Sequence, residues 1–402
     1  MSQKKIIIIG TGPAALIAAD VLSASCEVHL FEKGEAPGKK FLVAGKGGFN
    51  LTNSLTGDAL LNKFSPASFF KPILSEFDSI DTGNWLLDLG IPTYEGTSGR
   101  IFPEIGIKPI TVLQKIREKI IQKGAQFHFN HEFISFDENH QPVFLHKGEK
   151  VSIEADHYLF ALGGASWPVT GSTGNWTSAF EAIGIKTLPF QSSNCGVNVE
   201  WPAELKEKLQ GLPLKNIALR VNDFVIKGEA LITEYGLEGN AIYPAVAEIR
   251  KSFAENGKAE IHFDLKPDNS EDQLREKIKE FEKLIYKSHG TNAYKEAFNL
   301  DKARLILLKT FTTKEEFLEP DSFVRKVKYL TIPVTGLRKI DEAISTIGGI
   351  SLDEVGEDLS LKKFPKISVA GEMLDWDAPT GGFLLQGCFS TGYFAAVNIL
   401  EK

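Results

Sequence analysis

The 402-residue sequence is short of cysteine, of long apolar runs and of excess positive charge, and each shortage narrows what the chain does. Its three cysteines, Cys26, Cys195 and Cys388, stand far apart and form no Cys-x-x-Cys pair. A disulfide framework and a dithiol redox centre are therefore excluded. No stretch reaches the roughly 18 consecutive apolar residues of a membrane span, and the start MSQKKIIIIG runs into a strand without the apolar segment of a signal peptide. The expectation is a cytoplasmic protein with no membrane partner. The eight histidines show neither His-x-x-x-His nor His-Glu-x-x-His spacing, so no metal site is expected. His128 and His131 read as ordinary strand residues. Against 52 Asp and Glu there are 45 Lys and Arg, a net charge of −7, which disfavours an RNA partner. The lysines of Lys206-Glu207-Lys208 and Lys277-Ile278-Lys279 are interleaved with acids, the pattern of a solvated helical face.

What is present is ordinary globular composition, 43% hydrophobic, opening on a βαβ unit. Lys5-Ile6-Ile7-Ile8-Ile9 is a β-branched run, Gly10-Thr11-Gly12 a tight turn, Pro13 to Ser23 a helical pattern and Glu27 to Phe31 the next strand. In Gly10-x-Gly12-x-x-Ala15 the first glycine makes the turn. The second admits the backbone to a pyrophosphate, and the small third residue lets helix pack on strand. Phosphate then sits at the helix N-terminus, beside Pro13 and Ala14. Glu32, about 20 residues on, is placed to accept hydrogen bonds from the adenosine ribose, and its charge disfavours NADP. Lys33 completes the candidate contacts of this segment. The fingerprint alone leaves FAD and NAD open.

The rest of the chain divides by texture. Residues 60–124 carry helical spacing broken by a Gly/Pro-rich stretch at 92–109, and 125–145 read as strands. The strand Tyr158-Leu159-Phe160-Ala161 ends in Gly163-Gly164, a second place for close backbone approach to a ligand. Short strands and turns over 197–263 are followed by Lys/Glu-rich helical spacing over 268–317. A strand-then-glycine pattern returns at 367–375, and 381–400 reads as a closing helix. The expected division is a Rossmann-type α/β cofactor domain, 1–190 and 345–402, split by an insert at 191–344. The insert is β-rich over 191–266 and 331–344 and helical over 267–330. No solenoid repeat or low-complexity tract is present.

After Glu32 comes Gly38-Lys39-Lys40-Phe41-Leu42-Val43-Ala44-Gly45-Lys46-Gly47-Gly48-Phe49-Asn50-Leu51-Thr52-Asn53, with backbone donors, amides, hydroxyls and lysines where an extended cofactor continues. With Gly99-Arg100-Ile101-Phe102-Pro103, Ala161-Leu162-Gly163-Gly164, Gly171-Ser172-Thr173-Gly174, Ala370-Gly371-Glu372-x-x-Asp375 and Thr380-Gly381-Gly382-Phe383, this loop resembles the YhiN/BaiN family of flavoproteins. Within it the chain is similar to a subgroup with a Gly-Lys-Gly-Gly loop. The landmarks run in family order along nearly the whole chain. The resemblance implies a glutathione-reductase-like FAD domain with the inserted lobe described above. It implies non-covalent FAD held by Lys40, Lys46, Gly47, Asn50, Thr52, Ala161, Gly163 and Gly164 besides the fingerprint residues. It also implies Gly371 and Glu372 against the ribityl chain and pyrophosphate, Asp375 among the cofactor-binding residues, and Gly381, Gly382 and Phe383 beside the isoalloxazine. Much of the family carries Arg-Cys where this sequence has Gly48-Phe49, so chemistry of that thiol or guanidinium does not transfer.

No second Gly-x-Gly-x-x-Gly follows a strand, so NADH or NADPH is expected only as a transient electron donor. Lys46 fits the flavin edge, a phosphate or solvent; Arg100 fits an active-site or a surface role. Cys388 reads as a buried core residue before a nucleophile, Cys195 as a weak redox candidate. Trp167, Trp176 and Trp376 fit either an aromatic wall or packing. No catalytic acid or base is assigned. The expected function is FAD-dependent reduction of a double bond or ring in an organic small molecule. The alternatives are uridine reduction in ribosomal RNA, on which the resemblance also bears, and a flavin-binding protein without turnover.

Overall fold

The computed structural model describes residues 3–43, 48–287 and 291–402. The chain forms two compact units, Met1–Ser193 with Ile340–Lys402, and Asn194–Lys339.

The first unit is built on a six-stranded sheet. Its order is Ser360–Leu361, Phe364–Val369, His157–Phe160, Lys5–Ile9, Glu27–Phe31, Gln126–His128. All neighbours are parallel except the Ser360–Leu361 edge. Ile8 stands opposite Leu30 on one side and Leu159 on the other. Ile6, Ile7 and Ile8 are fully buried because both sheet faces are covered, which is why the strand is a continuous apolar run rather than an alternation. Sheet order reverses at Lys5–Ile9, so a crevice opens beyond its carboxyl end. Gly10, Glu32, Ala161 and Ala370 are each the first residue past a sheet strand and collect at that edge.

The helix Pro13–Leu22 packs on the closing helix Phe383–Glu401 with almost no side chain between them. A Cβ on Gly392 would lie 2.2 Å from the Ala14 carbonyl oxygen, so glycine is required there, and Ala14, Ala15, Ala18 and Ala19 are buried. By length and composition Phe383–Glu401 is the one described helix capable of crossing a membrane. It is a core helix here, and Gln386, Ser390 and Thr391 break the continuity of its apolar run while being buried with internal hydrogen bonds.

Around this core stand an antiparallel meander, Glu132–Phe136, Pro142–His146 and Glu149–Ser152, and the antiparallel pair Thr187–Ser193 with Ser345–Ile350. A small sheet orders Thr52–Asn53, Arg100–Pro103, Thr93–Glu95. Two of its strands, Thr93–Glu95 and Arg100–Pro103, fall inside the Gly/Pro-rich break at 92–109, and the third lies in the loop after Glu32. Its strands are two to four residues long, too short for periodicity to show.

The second unit carries a seven-stranded antiparallel sheet centred on Pro213–Val221 and Phe224–Ile232. Helix Val246–Asn256 lies within the region that reads as strands, and helix Ala203–Leu209 carries the Lys206-Glu207-Lys208 segment that reads as a solvated helical face. A helical group from Glu271–Lys287 to Pro320–Lys328 follows, with Tyr294 stacked on Phe323 at 3.9 Å between ring centroids. The Arg304 guanidinium is buried there, donating to the Leu265, Lys215 and Asn216 carbonyls.

Candidate functional site

The crevice at the sheet edge is a cavity of about 340 Å³. Its walls include Gly10, Gly12, Pro13, Ala14, Glu32, Lys33, Lys40, Ala161, Gly163, Gly371 and Glu372, which the sequence places in one site from five separate segments.

Gly10 has φ 104, and a Cβ on it would stand 2.4 Å from the Ala161 carbonyl oxygen, so the turn tolerates only glycine. Gly12 is different. A Cβ there would meet no protein atom within 4 Å, so the fold does not forbid a side chain; its lack keeps the start of Pro13–Leu22 open to the cavity. That helix has no side-chain cap and no acidic residue in its first turn. Its free N–H groups and positive dipole end are suited to a diphosphate, so this cradle fits a dinucleotide cofactor. Glu32 accepts from Thr11 Oγ1 and, at 2.8 Å, from Gly34 N–H. These bonds fix its carboxylate at the cavity wall.

Lys40 and Glu372 meet across the cavity at 2.9 Å. Lys40 Nζ also donates to Ser166 Oγ at 2.8 Å, and Glu372 Oε1 accepts from Thr346 N–H at 3.1 Å. Gly371 is held by its N–H to Thr391 Oγ1 and by Trp376 Nε1, which donates to its carbonyl at 2.9 Å. Trp376 is thus a packing residue, while Trp176 lines the cavity and donates to the Gly163 carbonyl. Cys388 also lines it. Burial, reinforced by the nearby Glu372 carboxylate, pushes its thiol up to about 12, which disfavours the thiolate at neutral pH. Cys195 is buried in the second unit and pushed up to about 11 by burial.

The remaining candidates lie apart from the cavity wall. Ala15 is fully buried between helix and sheet. Gly164 sits against Thr346 and Glu372, and Asp375 Oδ1 accepts from Gly348 N–H at 2.8 Å. Thr52 is buried and its hydroxyl donates to Gln386 Oε1, an oxygen shared with the Thr82 hydroxyl. Gly382 has φ 101, and a Cβ on it would lie 2.2 Å from the Thr52 carbonyl oxygen. In the amide orientation that satisfies both ends, Asn50 accepts from Gly382 N–H and donates to the Gly48 carbonyl. Asn53 Nδ2 donates to the Gly381 carbonyl at 3.1 Å. These contacts gather Asn50, Thr52, Gly381 and Gly382 at the start of Phe383–Glu401, a second helix with no side-chain cap and no acid in its first turn. The Phe383 ring turns into the core near Phe64. Lys46 and Gly47 lie outside the described residues.

Sequence reasoning passes over Thr11, His131 and the Thr170–Thr173 turn as cavity walls. Thr11 carries a readable signal, a hydroxyl between the fingerprint glycines. His131 carries none, because the meander delivers it from a strand-edge turn, where its Nδ1 bonds the Phe129 carbonyl at 2.8 Å.

Comparison with known proteins identifies the family and the fold. The chain is 23% identical to the 3-dehydro-bile acid delta(4,6)-reductase of Clostridium scindens, over 100% of both chains. It is 23% identical to the ribosomal RNA dihydrouridine synthase of Escherichia coli, over 100% of this chain and 99% of that one. Its fold is similar to the 3-ketosteroid delta1-dehydrogenase of Sterolibacterium denitrificans, with a TM-score of 0.52 at 13% identity and 100% of both chains covered. The HI0933-like protein Rossmann domain matches residues 4–398. The chain therefore belongs to the HI0933-like family and is, as its YhiN/BaiN motifs imply, a Rossmann-fold flavoprotein of oxidoreductase type.

Proposed function

We propose that the chain binds FAD non-covalently in this cradle and reduces a carbon–carbon double bond conjugated to a carbonyl in a small organic molecule. The observation that carries the reading is a pair of helix starts in one unit with glycine at the N-cap and no acid in the first turn, one at Gly12, open to the cavity, and one at Gly382, packed against Thr52. The first suits the pyrophosphate, and the second suits the electron-rich pyrimidine edge of the isoalloxazine. On this reading Lys40, Gly371 and Glu372 hold the ribityl chain, and Glu32 the adenosine ribose.

When bound, the flavin supplies a hydride from its reduced form. The protein's part is to hold and orient. Gly10 and Gly12 bring backbone to the diphosphate, and the Lys40–Glu372 pair fixes the Gly371 turn. The thiol of Cys388 stays protonated and takes no covalent part. In the absence of a second dinucleotide fingerprint, NADH or NADPH serves as a transient donor.

The substrate class follows from what two relatives' names share. A 3-dehydro bile acid with delta(4,6) unsaturation and a uridine ring both contain a double bond conjugated to a carbonyl. The net charge of −7 favours the small molecule over RNA. Anaerobically reduced holoprotein, mixed separately with a 3-oxo-Δ4 steroid and with ribosomal RNA lacking dihydrouridine, tests the reading. Flavin reoxidation by the steroid supports it. Reoxidation by RNA alone assigns the RNA reaction, and an inert reduced flavin points to a binding protein without turnover.

A further inference from the structure

Arg100 is absorbed neither by the cofactor cradle nor by the packing of the fold. It is the first residue of the strand Arg100–Pro103 and stands opposite Asn53 in register. The turn that delivers it holds Ser98 at φ 60, a left-handed conformation that is costly for a residue with a side chain. Gly99 follows at φ 70, and a Cβ on it would lie 2.7 Å from Ser54 Oγ. The chain thus accepts backbone strain at Ser98, and uses the freedom of glycine at position 99, where Arg100 leaves the turn.

The Arg100 side chain is half-buried, and its Nε stands 3.8 Å from where a Cβ of Gly381 would be. Among the described residues, no carboxylate or carbonyl is hydrogen-bonded to its guanidinium. Arg100 is also absent from the wall of the Gly10–Gly12 cavity, which removes the diphosphate as its partner. What it does face is a region of its own sign. The closing helix begins beside it with no acid in its first turn, and a helix start carries roughly half a positive charge. With no counter-charge bonded to Arg100 among the described residues, two positive features held together are unfavourable for the fold alone and favourable for a ligand oxygen that becomes negative.

We propose that Arg100 receives the carbonyl oxygen of the substrate's conjugated double bond and stabilises the negative charge that oxygen acquires during reduction. This rests on the reading that Gly381 and Gly382 face the reacting ring of a reduced flavin. In the step it serves, a hydride from that flavin adds to the β-carbon of the substrate. The carbon–carbon π pair shifts to join the α-carbon to the carbonyl carbon, and the carbonyl π pair moves onto oxygen as an enolate. A proton from water then adds to the α-carbon and the carbonyl re-forms. The substrate gains two electrons and two hydrogens overall, and the flavin is oxidised by two electrons. Arg100 gives up no proton. A guanidinium is permanently charged and offers paired N–H donors to one oxygen. An isolated alkene places no charge near it, so conjugated carbonyls are the selected class.

Halogenated phenols, whose phenolates mimic a planar enolate, serve as the probe of oxidised holoprotein, with binding followed by calorimetry. Wild-type protein is expected to bind the more acidic phenols more tightly. Arg100→Gln should weaken phenolate binding at least tenfold, and Arg100→Lys should recover part of it. FAD retention should stay unchanged in both variants, which also reports that they fold. Phenolate affinity that is absent in wild type, or unchanged in Arg100→Gln, overturns the proposal, as does a shift of flavin potential without loss of phenolate affinity. The two readings fail separately. If the wild type reduces a conjugated enone and Arg100→Gln does so with the same kcat and KM, the site is wrong and the function stands. If phenolate binding depends on Arg100 while no enone is reduced, the anion site stands and the proposed reaction is wrong.

Discussion

The Lys40 ammonium lies 2.9 Å from the Glu372 carboxylate, joining the short helix Lys39–Val43 that follows the second sheet strand to the turn after the last one. The pair is partly exposed, at 30% and 15% of the two side chains, so its stabilising contribution is modest and its positional role is larger. Replacing Glu372 by Gln removes the charge and keeps the shape. The expected outcome is weaker FAD retention by about 1–3 kcal/mol, the scale of a lost charged hydrogen bond. Fluorescence of released flavin measures it, and Lys40→Met should weaken retention in the same direction.

Gly10 and Gly12 should separate folding from binding. Gly12→Val places its side chain in open space, so the apoprotein should keep its thermal midpoint while FAD affinity falls at least tenfold. Gly10→Ala forces a Cβ into the Ala161 carbonyl at φ 104, and should cost about 1–3 kcal/mol of stability even without cofactor. Equal effects of the two substitutions on apoprotein unfolding would contradict this division.

Glu32 is held by Thr11 and Gly34 N–H with its carboxylate at the cavity wall. Glu32→Ala should reduce FAD affinity by about 1–3 kcal/mol. ADP competition against the holoprotein should show the same loss if the contact is to the ribose.

His157 sets an acid limit on stability. Its ring is buried with Nε2 at 2.8 Å from Ser368 Oγ. Burial, helped by the Lys402 and Lys4 ammonium groups, lowers its pKa to about 3. The folded state therefore keeps His157 neutral where the unfolded chain, titrating near the ordinary value of about 6.5, takes up a proton. Its contribution is full above that value and is lost as pH falls toward 3. Between pH 7 and pH 5 the expected loss is about 2 kcal/mol, from roughly 1.5 pH units below the unfolded value. Urea unfolding at the two pH values checks it, and His157→Gln should flatten the dependence.

The thiols should be unreactive. Burial raises the pKa of Cys26, takes Cys195 up to about 11 and Cys388 up to about 12. At neutral pH the native protein should resist iodoacetamide, with all three cysteines modified after unfolding. Rapid native labelling of Cys388 would return it to consideration as a redox group.

The sequence by itself determined the opening of this protein. The run Ile6 to Ile9, the spacing Gly10-x-Gly12-x-x-Ala15 and Glu32 are contiguous features of one βαβ unit. Local turn chemistry and strand burial act there within about 30 residues. The glycine motifs were legible in the same way, since a positive φ at Gly10, Gly163, Gly371, Gly381 and Gly382 is a demand a single residue type answers. Tertiary structure alone decided which side chains share a partner. Thr52 sits in the candidate loop by sequence, yet its hydroxyl is spent on Gln386, 334 residues away. Trp376 reads as a possible aromatic wall and instead holds the Gly371 carbonyl. Arg100 gains its position from a strand four residues long and a strained turn, neither of which leaves a periodic trace. Spacing records what neighbours along the chain do to one another, whereas the charge balance at Gly381 arises from segments that meet only when the sheet and the closing helix have folded.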